Sequence, residues 1–268
     1  MNDLARLATL IALEGRRESL ARRHTCLICW NTGESPVNRI EDNGTCCLVR
    51  TWTRRFLLTC SHVWNGFENF RSAHAGAQLW ISSIADDLPL APSFPLQVAN
   101  PRLIAKEDGL DLATIDFDGI NSIEAMRFFH FKPNPKPTAR KGDIVHFLGY
   151  AGDAVREGKL NFVLNYCYSS QTIHDVGRIQ FILHSEPGTM HHEDKNGTTI
   201  PPFRAGGESG APVFKVRENL ELELAGIVSK LCSSGLGSGE STPYEMSDGD
   251  VFITHACFVQ DDGSLTAP

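Results

Sequence analysis

No run of about 18 consecutive apolar residues occurs anywhere in the 268-residue chain, which excludes a bilayer-spanning helix. The first twenty residues carry Asp3, Arg6, Glu14, Arg16, Arg17 and Glu18, so they lack the apolar centre of an export signal. Basic charge is scarce: 25 Lys and Arg against 32 Asp and Glu give a formal charge of -7, the reverse of a nucleic-acid footprint. Arg16-Arg17 and Arg22-Arg23 read as solvated helix faces. Low-complexity segments and fixed-period repeats are missing. Without an export signal, the eight cysteines (26, 29, 46, 47, 60, 167, 232 and 257) are expected as free thiols in a reducing, cytoplasmic setting. The pair Cys26-Leu27-Ile28-Cys29 has no second C-x-x-C at zinc-ribbon spacing, and its apolar neighbours predict a buried strand.

With 41% hydrophobic and 21% charged residues, the chain can bury a substantial core as one large domain or two small ones. Leu4, Leu7, Ala8, Ile11, Leu20 and Ala21 fall at mostly helical spacing and predict an amphipathic opening helix over residues 2–21. From Thr25 the pattern changes to short apolar runs between turn residues. Strands are predicted at 26–30, 46–49, 56–59, 79–84, 112–117, 144–148, 160–168, 179–183, 212–216, 222–228 and 251–256. Many short strands with few long helices predict an all-β barrel or sandwich. Lys132-Pro133-Asn134-Pro135-Lys136-Pro137 cannot lie in a central strand and reads as a linker. The Gly- and Ser-rich stretch from Ser233 to Asp248 reads as a long surface loop.

Three segments each supply one member of a nucleophile, base and orienter set. In Phe56-Leu57-Leu58-Thr59-Cys60-Ser61-His62-Val63 an apolar strand runs into His62, which predicts an imidazole held at a strand end. In Gly109-Leu110-Asp111-Leu112-Ala113-Thr114-Ile115 a single acid leads into another strand. Gly206-Gly207-Glu208-Ser209-Gly210-Ala211-Pro212 places a serine in a glycine-rich turn before a third strand. A serine hydroxyl is a weak nucleophile at neutral pH, so it needs a base to take its proton and an acid to hold that base in the right tautomer.

"LLTCSHV", "LDLATI" and "GGESGAPVF" resemble the His, Asp and Ser motifs of the trypsin-like (chymotrypsin-fold) serine peptidases, in that family's order. "GDIVHFLGYAG" from Gly142 resembles the opening of the second barrel in bacterial members. "LAGIVS", Leu224 to Ser229, resembles the strand whose last Ser lies beside the catalytic Asp and whose edge pairs with substrate. The likeness spans about Thr25 to Val259 and points to intracellular-type bacterial members. It implies an all-β fold of two packed antiparallel barrels with a short N-terminal helix. The implied layout is a helical extension over 1–24, a first barrel over 25–131, a linker over 132–138, a second barrel over 139–259 and a tail over 260–268. It further implies a serine endopeptidase with a Ser209-His62-Asp111 triad and an acyl-enzyme intermediate. The backbone N–H groups of Gly207 and Ser209 would form the oxyanion hole, and no metal or organic cofactor is called for. Ser229, Lys230 and Leu231 would bind substrate. Phe203-Arg204 and Asp250 to Phe252 would complete the specificity pocket, with Asp250 favouring a basic side chain and Arg204 an acidic one.

The chain departs from the secreted pattern at three places. Glu208 replaces the usual Asp, Ala211 replaces a glycine, and Val63 replaces the Cys after the catalytic His. The first suggests an enzyme that is not activated by N-terminal cleavage, and the last removes a disulfide. An α/β-hydrolase would need G-x-S-x-G and a late His, whereas Ala211 breaks that pattern and His62 comes first. His191-His192-Glu193-Asp194 resembles a metal cluster, but adjacent His residues on a strand face opposite ways, and a solvated loop is the simpler expectation. The expected partners are a protein or peptide substrate and a regulatory protein that restrains a cytoplasmic peptidase, with neither nucleic acid nor membrane. The alternative is a catalytically silent peptide-binding module of the same fold.

Overall fold

The computed structural model describes residues 3–33, 42–82, 96–123, 127–150, 166–184, 209–217, 221–231 and 250–268. The opening helix, α1, runs Asp3–His24, three residues beyond its predicted end. Its last turn carries Arg22, Arg23 and His24, which favour a helix C-terminus electrostatically, and Thr25 donates its hydroxyl to the Ala21 carbonyl at 2.9 Å. Ala21 is fully buried, and the His24 ring meets Phe129 and Phe214 edge-on. The helix therefore packs where the two halves of the molecule meet.

The first half contributes β1 (Thr25–Asn31), β2 (Asp42–Arg50), β3 (Arg55–Thr59), α2 (Ser61–Ala73), β4 (Gln78–Ser82), β5 (Leu96–Gln97), β6 (Ala99–Glu107), β7 (Leu112–Asp118) and β8 (Phe129–His130). Seven strands form the path β5-β4-β1-β2-β3-β7-β6, and β8 joins β2 as a short parallel partner. Among the described residues this sheet curls into a half-barrel, as the expected first barrel does in outline. Strand β1 is buried along its whole length, as its unbroken apolar run requires.

Residues 131–143, including the proline-rich run, carry no strand and lead to β9 (Ile144–Tyr150). Then follow β10 (Tyr166–Val176), β11 (Gln180–His184), β12 (Pro212–Val216), β13 (Leu222–Leu231) and β14 (Asp250–His255). These six strands close into an antiparallel barrel in the order β10-β11-β14-β13-β12-β9. The molecule is all-β apart from its two helices, an architecture compatible with a chymotrypsin-like fold.

Four elements escaped the sequence pattern. Strand β6 is largely exposed and contains Pro101; its register shifts between Ala99 and Arg102, and Asn100 has φ 49°. A proline at a bulge in the outermost strand removes no needed ladder bond. Strands β5 and β8 have two residues each, too few for a period. Helix α2 buries Val63, Trp64 and Phe67 at helical spacing, with Gly66 pressed against Trp30, where an added Cβ would sit 3.1 Å from the ring.

Two cores result. The smaller fills the closed barrel with Val145, Phe147, Phe181, Val213, Val228 and Ile253. The larger packs the open sheet and α2 around Trp30, Phe56, Leu58 and Phe67, and takes in Phe214, Leu224, Ile227 and Phe258 from the second half. The C-terminal tail is part of this joint. Asp261 accepts hydrogen bonds through its carbonyl from Thr51 and Thr53, and Thr114 donates to the Gly263 carbonyl at 2.6 Å.

Candidate active site

His62 stands at a strand-to-helix junction, not at a strand end. Strand β3 stops at Thr59, Cys60 is extended (φ -76°, ψ 149°) and begins α2, and His62 is the second helical residue. This turn lifts the ring off the sheet while Cys60 and Ser61 stay buried beneath it. Its partner Asp111 ends the tight turn Glu107–Asp111 before β7, in which the Leu110 and Asp111 amides donate to the Glu107 and Asp108 carbonyls.

Asp111 adopts φ 53°, a left-handed conformation that costs a non-glycine residue about 1–2 kcal/mol. Its carboxylate is the counterweight. Oδ1 accepts the Ser61 hydroxyl at 2.9 Å and the His62 amide at 3.1 Å, while the His62 ring Nδ1 lies 2.8 Å from Oδ2 and 3.0 Å from Oδ1. On the other side, Thr254 of β14 donates its hydroxyl to the buried Leu110 carbonyl at 2.8 Å. The second half thereby braces the turn that aims Asp111. About half of the His62 side chain is exposed, so the ring edge remoter from Asp111 is open to a reacting group. Asp108 is held below the usual carboxylate range, first by its hydrogen bond with Lys106 and also by that with Asn65.

The turn at Ser209 is docked onto this junction. The Ser209 carbonyl accepts the Thr45 amide at 2.9 Å, and the Gly210 amide donates to the Val228 carbonyl at 2.8 Å. That same carbonyl accepts the Cys60 thiol at 2.9 Å, so one oxygen of β13 ties together the residue after Ser209 and the residue that starts α2. Gly210 has φ 90°, and a Cβ there would lie 2.0 Å from the Thr45 carbonyl oxygen and 2.3 Å from Thr59 Oγ1. Glycine is required by both conformation and space.

The described hydrogen bonds of the His62 ring are those to Asp111, and a direct bond to Ser209 Oγ is not among them. Such contacts often tighten only around substrate. Gly207, Phe203-Arg204, the His191-His192-Glu193-Asp194 cluster and the Ser233 to Asp248 loop lie outside the described residues.

Ser229 is buried, but its hydroxyl donates to the Phe252 carbonyl at 3.0 Å and accepts from Gln180 at the same distance. The register shift between Val228 and Lys230 aims it there. The hydroxyl bonded to Asp111 belongs to Ser61. Lys230 is exposed, Leu231 pairs through its backbone with Val251, and Asp250 Oδ1 lies 2.8 Å from His184 Nδ1. His255 is fully buried at the end of β14 with Nε2 3.0 Å from the Gly177 carbonyl.

Sequence reasoning missed Ser61, Cys60 and Thr254. The first two sit inside the His62 motif, and their polarity in an otherwise apolar run was the available signal. Nothing in the sequence marks Thr254. Among the described residues one group has metal-ligand atoms converging within 4.8 Å, namely Cys60, His62 and Asp111. Neither protein-family models nor the curated proteins yield a match to this chain.

Proposed function

We propose that the chain is a serine endopeptidase of the trypsin-like type, acting on protein or peptide in a cytoplasmic setting. The supporting observation is the hydrogen-bonded His62-Asp111 pair at the β3–α2 junction, with the Ser209-Gly210 turn pinned to Thr45 and Thr59 of the same sheet. In this reading Ser209 Oγ attacks the scissile carbonyl while His62 Nε2 takes its proton. Asp111 accepts Nδ1–H, which fixes the tautomer and stabilises the imidazolium that forms. His62 then returns the proton to the leaving amine. Water repeats the sequence on the acyl-enzyme and frees Ser209. The amides of Gly207 and Ser209 would stabilise the developing oxyanion, each contributing about 3–4 kcal/mol. A regulatory protein partner would hold such an activity in check.

A fluorophosphonate probe tests the reading directly. Covalent labelling of Ser209 that vanishes in Ser209→Ala supports the peptidase. A folded chain that never labels, alone or with candidate partners, favours the silent peptide-binding module.

A further inference from the structure

We propose that Cys60, His62 and Asp111 form an inhibitory site for a thiophilic divalent cation of the zinc class. Three chemically different donors converge here: a thiol, an imidazole nitrogen and a carboxylate oxygen, all within 4.8 Å of one another. A tetrahedral zinc centre with bonds of about 2.0 Å to nitrogen and oxygen and about 2.3 Å to sulfur separates its donors by about 3.3–3.6 Å. His62 Nδ1 and Asp111 Oδ2 now stand 2.8 Å apart, so they need to open by about 0.5 Å.

The surroundings prepare the site in two ways. Asp111 is held through Oδ1 by the Ser61 hydroxyl and the His62 amide, which leaves Oδ2 to bind an ion without releasing the carboxylate. Outer-sphere bonds of this sort orient ligands and raise affinity. Cys60 is wholly buried, but the half-exposed His62 and partly exposed Asp111 give a path from solvent. A dication beside Cys60 would replace its thiol proton.

The exchange balances without any redox step. The Cys60 S–H bond breaks, its proton goes to solvent, its hydrogen bond to the Val228 carbonyl is given up, and an S–metal bond forms. His62 gives Nδ1 to the metal and carries its single proton on Nε2. Asp111 Oδ2 trades the Nδ1–H hydrogen bond for the metal. With Nε2 protonated, His62 can no longer accept the Ser209 proton, so the ion would switch off the proposed hydrolysis and its removal would restore it. This last consequence rests on the proposed function, whereas ion binding does not.

The full-length chain titrated with Cd²⁺ gives the decisive measurement. The expected result is one equivalent of thiolate-to-cadmium ultraviolet absorption, absent in Cys60→Ser and weakened at least about ten-fold in Asp111→Asn. Because Cys60→Ser leaves the other buried thiols in place, absorption that persists in it would assign the signal to them and overturn the proposal, as would no stoichiometric absorption in the unmodified chain. Should Cys60→Ser fail to fold, Asp111→Asn decides the same point through its affinity. In parallel, Zn²⁺ should lower fluorophosphonate labelling at least ten-fold, reversibly with chelator, in the unmodified chain but not in Cys60→Ser. Cation binding by a chain that never labels would refute the peptidase and keep the site; labelling without cation binding would do the opposite.

Discussion

The two halves of this molecule solve the same problem differently. The second half closes six strands on themselves around a modest core that includes Phe147 and Phe181. The first half leaves its sheet open and covers it with α2, the β8 graft, the C-terminal tail and aromatic side chains from its neighbour. Closure removes sheet edges, so a closed barrel can stand as a scaffold. The open sheet depends on what is laid against it, and the candidate site is built at that dependent place. His62 and Asp111 come from the open sheet, but Thr254, Val228 and Gly210 of the barrel position the segments that carry them. The site is thus a property of the joint.

The largest effect that tests this division is chemical. Asp111→Asn should lower the rate of fluorophosphonate labelling at Ser209 by about 10⁴-fold with little change in fold, since the amide stabilises the wrong imidazole tautomer. A labelling rate within ten-fold of the unmodified chain would remove Asp111 from the triad.

Phe214→Ala should next destabilise the protein by about 3–5 kcal/mol, because Phe214 leaves the barrel to fill the core of the open sheet. Denaturant unfolding should remain a single transition. Two separated transitions would mean that the halves are stable independently, and the comparison would break.

Gly210→Ala should cost at least about 3 kcal/mol, combining a positive φ with a clash against Thr45 and Thr59. If its stability equals that of the unmodified chain, the Ser209 turn is not docked as described. Ser61→Ala should slow labelling about ten-fold by loosening Asp111, with a shift in its pH profile that Ser61→Thr restores. An unchanged profile would assign Ser61 to the fold alone.

The smallest predicted effect lies inside the barrel wall. Burial lowers the pKa of His255 from its ordinary 6.5, outweighing the opposing hydrogen bond with Gly177, while buried Nδ1 has no hydrogen-bond partner among the described residues. The unfolded chain therefore takes up this proton first as the pH falls. The stability from neutral His255 is fully present above pH 6.5 and drains away as the pH drops toward the lowered folded value. Denaturant midpoints measured from pH 8 to 5 should fall less steeply in His255→Asn; parallel slopes would contradict this.

Much of this was legible from residues alone. Unbroken apolar runs such as Cys26 to Trp30 and Cys46 to Val49 mark strands because a strand buried on both faces tolerates little else. The same logic failed for β6, whose Asn100-Pro101-Arg102 segment faces solvent at a sheet edge, and for α2, whose Val63, Trp64 and Phe67 were overshadowed by the strand running into them. Both misses are places where tertiary position overrides local pattern.

By itself, the sequence determined the all-β class, the break at the proline-rich run and the pairing of His62 and Asp111 with Ser209 as candidates, since each depends on residue type and spacing. Only the tertiary structure decided that six strands of one half close into a barrel, that Ser61 donates to Asp111, and that Cys60 lies beside His62 and Asp111. Hydrogen-bond partners far apart in the chain, such as Thr254 with Leu110 and Cys60 with Val228, are selected by the packing of two sheets, and no local pattern encodes that choice.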